Sequence, residues 1–164
     1  MALAKSFVER GIDPGKIKIL GQGEITDEQS LKNMGEVAIG IVTAYHYDYN
    51  HDSAMNRDFV KAYKAAHGRN PDIYSIGGYD GMHLIYEALK KAGGNTDGEA
   101  LIAAAKGMRW ESPRGPVSID PDTRDIVQTV YIRRVDKVDG QLRNVEFEKF
   151  ENVKDPFKAR MKSN

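Results

Sequence analysis

Three short segments carry the side chains best suited to contact a small polar ligand. A carboxylate can pair with a ligand ammonium group, and aromatic rings with polar tips can form walls that also offer hydrogen bonds. This combination is typical of a binding site for a small molecule. The six predicted contacts are Glu24, Ile25, Tyr45, His46, Tyr79 and Asp80.

The same sequence offers little for catalysis. Ser112 has no histidine placed nearby as a base, and no phosphate-binding loop is present. A metal interpretation would use His46 and His51 with Asp48 and Asp52, but these lie on a loop without a second pair of ligands elsewhere. We therefore predict no catalytic residue, no metal and no cofactor, and a binding protein rather than an enzyme.

Each candidate segment also has an interpretation without a ligand. Residues 21–24 are predicted as the exit loop of a strand, where ligands bind in open α/β sheets, or as an ordinary loop before a helix. Residues 45–52 form either a ligand wall or an aromatic surface loop. Glycines within residues 77–81 indicate close approach of a ligand or a neighbouring element, because each costs a helix about 1 kcal/mol relative to alanine. Helix-on-sheet packing with Tyr79 in the core is the alternative.

Apolar periodicity predicts strands and helices that alternate in the first part of the chain. The predicted helices, each given from its cap or first-turn residue to its end, are 26–35, 53–68, 71–91 and 96–107. The predicted strands are 17–20, 38–47, 117–119, 126–135 and 142–150, the last two joined by a turn at Asp139 and Gly140. This pattern predicts an α/β fold with a mostly parallel sheet, flanking helices and a C-terminal antiparallel hairpin.

The composition excludes several other classes. Lys plus Arg number 24 and Asp plus Glu number 24, so no net charge attracts nucleic acid. The basic residues of the last segment, namely Lys154, Lys158, Arg160 and Lys162, are interpreted as a solvated tail. Cysteine is absent, which excludes disulfides and thiolate metal sites. The longest apolar runs are shorter than a membrane span.

Four motifs in order carry a resemblance to a known family. They are residues 56–63 (NRDFVKAY), 78–81 (GYDG), 101–107 (LIAAAKG) and 112–120 (SPRGPVSID). The chain resembles the C-terminal portion of periplasmic solute-binding proteins of the leucine/isoleucine/valine-binding type, which serve ABC importers. The resemblance implies a partial type I periplasmic binding fold, in which two α/β lobes close by a hinge motion on a ligand in the cleft between them.

The resemblance also implies a domain plan and a ligand class. Residues 1–68 would belong to the second lobe, residues 69–125 would return to the first lobe, and residues 126–164 would form the hinge crossing, hairpin and tail. Glu24 is the nearest match, displaced by one position, to the acidic residue that receives a ligand ammonium group in amino-acid-binding members. The implied ligand is an amino acid of the branched-chain type or an aromatic or other carboxylate, the implied partner is an ABC transporter permease, and the implied location is the periplasm.

By the same resemblance, the chain is expected to be truncated. We expect it to bind ligand weakly or not at all by itself, and its uncovered sheet edges favour pairing with a second copy. Two other functions stay open at this point. One is a cytoplasmic small-molecule sensor of the same fold, and the other is a small α/β enzyme.

Overall fold

A computed structural model describes residues 6–7, 9–13 and 16–161 of the chain. The chain forms two compact units. The first comprises the described residues within 1–50 and 130–149, and the second comprises those within 51–129 and 150–164. The end of the predicted basic tail, including Lys162, lies outside the described residues. The assignment of these units to lobes of a longer protein stays a prediction.

The first unit begins with a short βαβ arrangement. Its elements are strand β1 (Leu20–Gln22), a 3-10 helix (Gly23–Thr26), helix α1 (Glu28–Met34), a second 3-10 helix (Gly35–Ala38) and strand β2 (Val42–Tyr45). Its core consists of five buried apolar residues, namely Leu31, Met34, Ala38, Ile41 and Val135. Burial of each of the larger side chains stabilises the unit by about 1.5–3 kcal/mol.

The boundaries around α1 differ from the prediction. Asp27 caps this helix, since its Oδ1 accepts a hydrogen bond from the backbone N–H of Ser30 at 2.7 Å. The predicted cap at Thr26 is wrong, because its hydroxyl is bonded to the Gly23 carbonyl and to the Thr43 hydroxyl. The predicted exit loop at 21–24 is wrong as well, since these residues end β1 and begin a 3-10 helix.

Strand β2 is shorter than the predicted strand 38–47. The apolar run begins in the second 3-10 helix, where Ala38 is fully buried, and becomes extended only from Val42. Both conformations bury the run, so apolarity alone does not separate them.

The second unit contains most of the helices. Its elements are α2 (Ala54–His67), α3 (Ile73–Lys91), α4 (Gly98–Ala105), β3 (Arg109–Ser112), β4 (Gly115–Ile119) and α5 (Pro156–Met161). The Ser53 hydroxyl caps α2, and Gly68 ends it in the left-handed conformation (φ 70°), as predicted. Helix α3 begins with a capping box of Asp72 and Ser75. Pro71 therefore precedes the cap and does not lie in the first turn as predicted.

Strands β5 (Ile126–Val138) and β6 (Gln141–Val153) continue from one unit into the other. They form the predicted hairpin, and its two loop residues, Asp139 and Gly140, have φ values of 50° and 76°. Positive φ at both positions is typical of the two-residue turn that matches the twist of a hairpin.

The sheet is mixed and mostly antiparallel, so the prediction of a mostly parallel sheet is wrong. Strands β1 and β2 pair in parallel, whereas β2 with β5, β3 with β4 and β4 with β5 pair antiparallel. A parallel pair needs a crossover between its strands, and α1 is the helix that supplies it here. Helices α2, α3 and α4 follow one another with no strand between them in the described chain.

One side of α3 is exposed. Met82, Ile85 and Tyr86 are 45–57% exposed. A side chain added at Gly77, Gly78 or Gly81 would meet no atom within 4 Å, so no element of the described chain makes the close approach predicted there. Among the described residues, no helix is long and apolar enough to cross a membrane.

Candidate functional site

The first unit brings together three of the predicted ligand residues from separate parts of the sequence. The Tyr45 hydroxyl donates a hydrogen bond to Glu24 Oε1 at 3.4 Å, and the rings of Tyr45 and His46 lie 5.0 Å apart. Tyr45 is buried, whereas Glu24 is exposed and Ile25 is 39% exposed. The result is an acid, a phenol and an imidazole side by side at the ends of β1 and β2. Their role as ligand contacts stays a prediction.

Gly23 is required for this arrangement. A Cβ atom at this position would lie 2.1 Å from Cγ of Tyr45, so only glycine lets the 3-10 helix pack directly against the ring. The backbone that carries Glu24 and Ile25 is thereby placed beside the residue that ends β2.

A buried ion pair lies beneath these side chains. Arg133 Nη1 donates to Asp48 Oδ2 at 2.9 Å, and the two side chains are 2% and 7% exposed. The same nitrogen donates to the Tyr47 carbonyl, while Nη2 donates to the Gly23 carbonyl and to Thr43 Oγ1, each at 3.2 Å. Burial raises the pKa of the Asp48 carboxyl, and the charge of Arg133 opposes that rise.

Asn144 on β6 adds a second link between the same segments. Its Nδ2 donates to the Thr26 carbonyl at 2.8 Å and to Asp48 Oδ2 at 3.0 Å. The other oxygen of Asp48 accepts hydrogen bonds from the backbone and the side chain of Asn50. Asp48 is therefore an interior anchor of the first unit.

Arg133 was not among the predicted residues, although the sequence carries a signal for it. Alternate residues of β5 from Val127 to Val135 are buried, and Arg133 falls on that inward series. A charged residue on the buried face of a strand needs an ionic partner inside the protein. The alternation could have identified Arg133, but its partner Asp48 lies 85 residues away in sequence.

In the second unit, Asp80 is buried and held by the protein itself. Its carboxylate accepts hydrogen bonds from Arg114 Nε at 2.6 Å, Ser112 Oγ at 3.1 Å and Trp110 Nε1 at 3.1 Å. Arg114 also donates to Gln128. These bonds join α3 to β3, to the turn after β3 and, through Arg114, to β5 within the unit. The geometry supports an anchoring role for Asp80, and a direct ligand contact stays a prediction.

Tyr79 precedes Asp80 and is 38% exposed. Its ring meets Phe59 of α2 edge to face, with centroids 5.1 Å apart and an interplanar angle of 60°. It is therefore not the core residue that the alternative interpretation placed there. An aromatic ring that is partly exposed stays available as a wall for a ligand.

The described residues contain no group of three His, Cys, Asp or Glu side chains that could hold a metal ion. The acids of the metal interpretation have other partners. Asp48 pairs with Arg133, and Asp52 pairs with Arg57 at 2.5 Å.

A hollow of about 280 Å³ lies in the second unit. Its walls come from β3, β4 and β5, together with Asn152, and they include Trp110 and Val117. None of the six predicted ligand residues lines it. The hollow and the predicted contacts of the first unit are therefore separate features.

Comparison with known proteins gives one consistent family. Residues 1–141 match the family described as "Periplasmic binding protein". A similar curated protein is Leu/Ile/Val-binding protein homolog 6 of Brucella suis biovar 1, which is 42% identical over 159 residues, or 95% of this chain and 41% of that protein. The chain thus spans about two fifths of the length of this relative.

Two solved structures are also similar. A solute-binding protein of an ABC transporter from Rhodopseudomonas palustris BisB5, in complex with 3,4-dihydroxybenzoic acid, is 59% identical with a TM-score of 0.86, covering 94% of this chain and 43% of that chain. The counterpart from Rhodopseudomonas palustris HaA2, in complex with p-hydroxybenzoic acid, is 41% identical with a TM-score of 0.88, covering 95% and 43%.

Proposed function

Because the chain belongs to the periplasmic binding protein family, we propose that it is part of the solute-binding component of an ABC importer. The family is one of binding proteins and not of enzymes. The observation that carries the proposal is the hydrogen-bonded pair of Glu24 and Tyr45 beside His46. This group of side chains offers polar atoms and aromatic rings to a ligand, but it contains no nucleophile paired with a base.

The proposed ligand is a hydroxylated aromatic carboxylate. The solved relative at 59% identity holds 3,4-dihydroxybenzoic acid, and the half-buried ring of His46 suits stacking against such a ligand while the buried ring of Tyr45 lies beside it. Glu24 is placed to accept a hydrogen bond from a phenolic hydroxyl. We propose that Ile25 adds an apolar wall in the first unit. The ligand contacts predicted at Tyr79 and Asp80 in the second unit stay predictions, and Asp80 is proposed to act by holding Trp110 and Arg114 in place.

A branched-chain amino acid is the second candidate ligand. The relative named as a Leu/Ile/Val-binding homolog favours it, and Glu24 would then receive the ammonium group. The two candidates differ in the charge that Glu24 meets, so replacement of this residue separates them. A Glu24→Gln variant should lose most of its affinity for a cationic group and less of its affinity for a phenol.

Periplasmic location and docking to a transporter permease are parts of the same proposal, supported by the family match. The assignment of residues 1–68 and 69–125 to two lobes also belongs to it. We propose that this chain binds ligand weakly by itself, with a dissociation constant of about 1 mM, and that its sheet edges favour self-association.

The test is a titration of this chain with 3,4-dihydroxybenzoate and, separately, with leucine, followed by NMR. We expect saturable shifts with the aromatic acid near the stated affinity. Tyr45→Phe should weaken them because it removes the hydroxyl that meets Glu24. Tyr74→Phe is the matched control, since Tyr74 is 78% exposed on α3. Equal loss in both variants, or no binding of either ligand, would refute the proposal.

A further inference from the structure

We propose that Arg133 is the positioning residue of the first-unit site, and that ligand affinity depends on it although it need not touch the ligand. This inference rests on the proposed function. Arg133 lies on β5, more than 80 residues from the segments that carry Glu24, Tyr45 and His46. Its side chain is nevertheless 2% exposed and reaches both of them.

The guanidinium group divides its hydrogen bonds between the two segments. Nη2 donates to the carbonyl of Gly23, the residue directly before Glu24. Nη1 donates to the carbonyl of Tyr47, the residue directly after His46, and to Asp48. One rigid planar group therefore fixes the spacing of the two backbones that carry the site.

The same group also adjoins the central ring of the site. Arg133 Cζ lies 5.1 Å from the ring centroid of Tyr45, within the range of a cation–π interaction. The Tyr45 ring thus contacts Gly23 and adjoins Arg133, and its hydroxyl points at Glu24. A shift of Arg133 would move the ring and the backbone together.

Lysine cannot reproduce this arrangement. A guanidinium presents a planar fork of donors, whereas an ammonium group is a compact charge at one point. A lysine at position 133 can keep the ion pair with Asp48 but cannot also span to the Gly23 carbonyl in the same geometry. Arg133→Lys therefore keeps the ion pair with Asp48 but loses the hydrogen bonds that join the segment before Glu24 to the segment after His46.

The competing explanation is that Arg133 only stabilises the fold. Val135 is the matched control, because it lies two residues away on the same buried face, is 1% exposed and belongs to the apolar core. Val135→Ala should lower the melting temperature by leaving a cavity, without touching the site segments. The ligand affinities of Val135→Ala and of an Arg133 variant are compared when both melting temperatures have fallen by the same amount. A lower affinity in the Arg133 variant alone then indicates positioning and not general stability.

The experiment measures melting temperature and the affinity for 3,4-dihydroxybenzoate in the wild-type chain and in Arg133→Met, Arg133→Lys and Val135→Ala. We expect both Arg133 variants to bind about tenfold more weakly, by analogy with metal sites, where loss of an outer hydrogen-bond partner of a ligand costs about 10–100-fold in affinity. Val135→Ala should bind within twofold of the wild type although its melting temperature falls to a value comparable with that of the Arg133 variants. Arg133→Lys should melt above Arg133→Met.

Binding of Arg133→Lys within twofold of the wild type overturns the inference, as does a loss of affinity in Val135→Ala that follows its melting temperature. If Arg133→Met does not fold, Arg133→Lys alone decides. The amide signals of Glu24 and His46, compared between the wild type and Arg133→Lys without ligand, separate the proposed function from the proposed role of Arg133. If the wild type binds no ligand while Arg133→Lys still shifts the amide signals of Glu24 and His46, the proposed function fails, and Arg133 only holds the two segments together. The claim that ligand affinity depends on Arg133 then fails as well.

Discussion

Replacement of Asp80 by asparagine should destabilise the second unit strongly. The substitution keeps the shape of the side chain but removes the charge opposite Arg114, whose side chain is 7% exposed. Loss of one partner of a buried ion pair costs about 3–5 kcal/mol, because the remaining charge is left uncompensated. Asparagine retains one acceptor oxygen for Ser112 or Trp110, so we expect the lower end, about 3 kcal/mol.

The assay is urea unfolding followed by the fluorescence of Trp110, the single tryptophan of the chain, with circular dichroism as a second probe. With a typical slope of about 2 kcal/mol per molar urea, 3 kcal/mol lowers the midpoint by about 1.5 M. Trp110 donates to Asp80, so its emission also reports the local change. The two probes should give the same midpoint if the unit unfolds as a whole.

Glu87→Gln on the same helix is the control. Its partner Lys90 is exposed, and we expect no measurable shift of the midpoint. Joint replacement by Asp80→Leu and Arg114→Met should recover part of the lost stability, because it removes both charges. If Asp80→Asn behaves like Glu87→Gln, or if the double variant is no more stable than Asp80→Asn, the buried-pair reasoning is refuted.

Three further predictions concern Gly23 in the first 3-10 helix, the Ser53 cap of α2 and the segment that carries Lys154. Gly23→Ala should displace the Tyr45 ring and weaken binding of 3,4-dihydroxybenzoate in an NMR titration, whereas unchanged affinity would contradict the packing argument. Ser53→Ala should cost about 1 kcal/mol in urea unfolding by removing the cap of α2, and Ser53→Thr should restore most of it. The hydrogen bond from Lys154 and the N–H groups of the following turn hold the pKa of Asp120 well below its usual range, so the stabilisation is present above pH 3.8 and is lost as acid protonates the folded form. The protection factors of amides in the Lys154 segment, which are corrected for the intrinsic pH dependence of exchange, should therefore stay constant from neutral pH to about pH 5 and fall in stronger acid. Protection factors that stay constant at low pH would oppose this assignment.

Helices α1 to α4 were predictable from local signals, whereas α5 lies where a solvated tail was predicted. Ser53 and Gly68 bound α2 as their residue types indicate, because a hydroxyl cap and a left-handed glycine act within a few residues. The hairpin at Asp139 and Gly140 was predictable for the same reason. The cap at Thr26 was not, since its hydroxyl pairs with Thr43 from a distant strand.

The sheet direction and the interior ion pairs depend on distant contacts. Strand β3 was not predicted, and its pairing with β4 leads to the antiparallel arrangement that periodicity does not encode. Of the candidate site, Glu24 and Tyr45 were both proposed as ligand contacts, and their hydrogen bond depends on the pairing of β1 with β2. The partners of Asp80 and of Arg133 were not foreseen, because ion pairs depend on which segments meet.

The most direct measurement is a map of amide shifts in this chain as 3,4-dihydroxybenzoate is added. We expect saturable shifts concentrated at Glu24 and Ile25 and at Tyr45 and His46. Shifts confined to the hollow around Trp110, or no saturable change at about 10 mM ligand, a concentration tenfold above the proposed dissociation constant, would contradict the account.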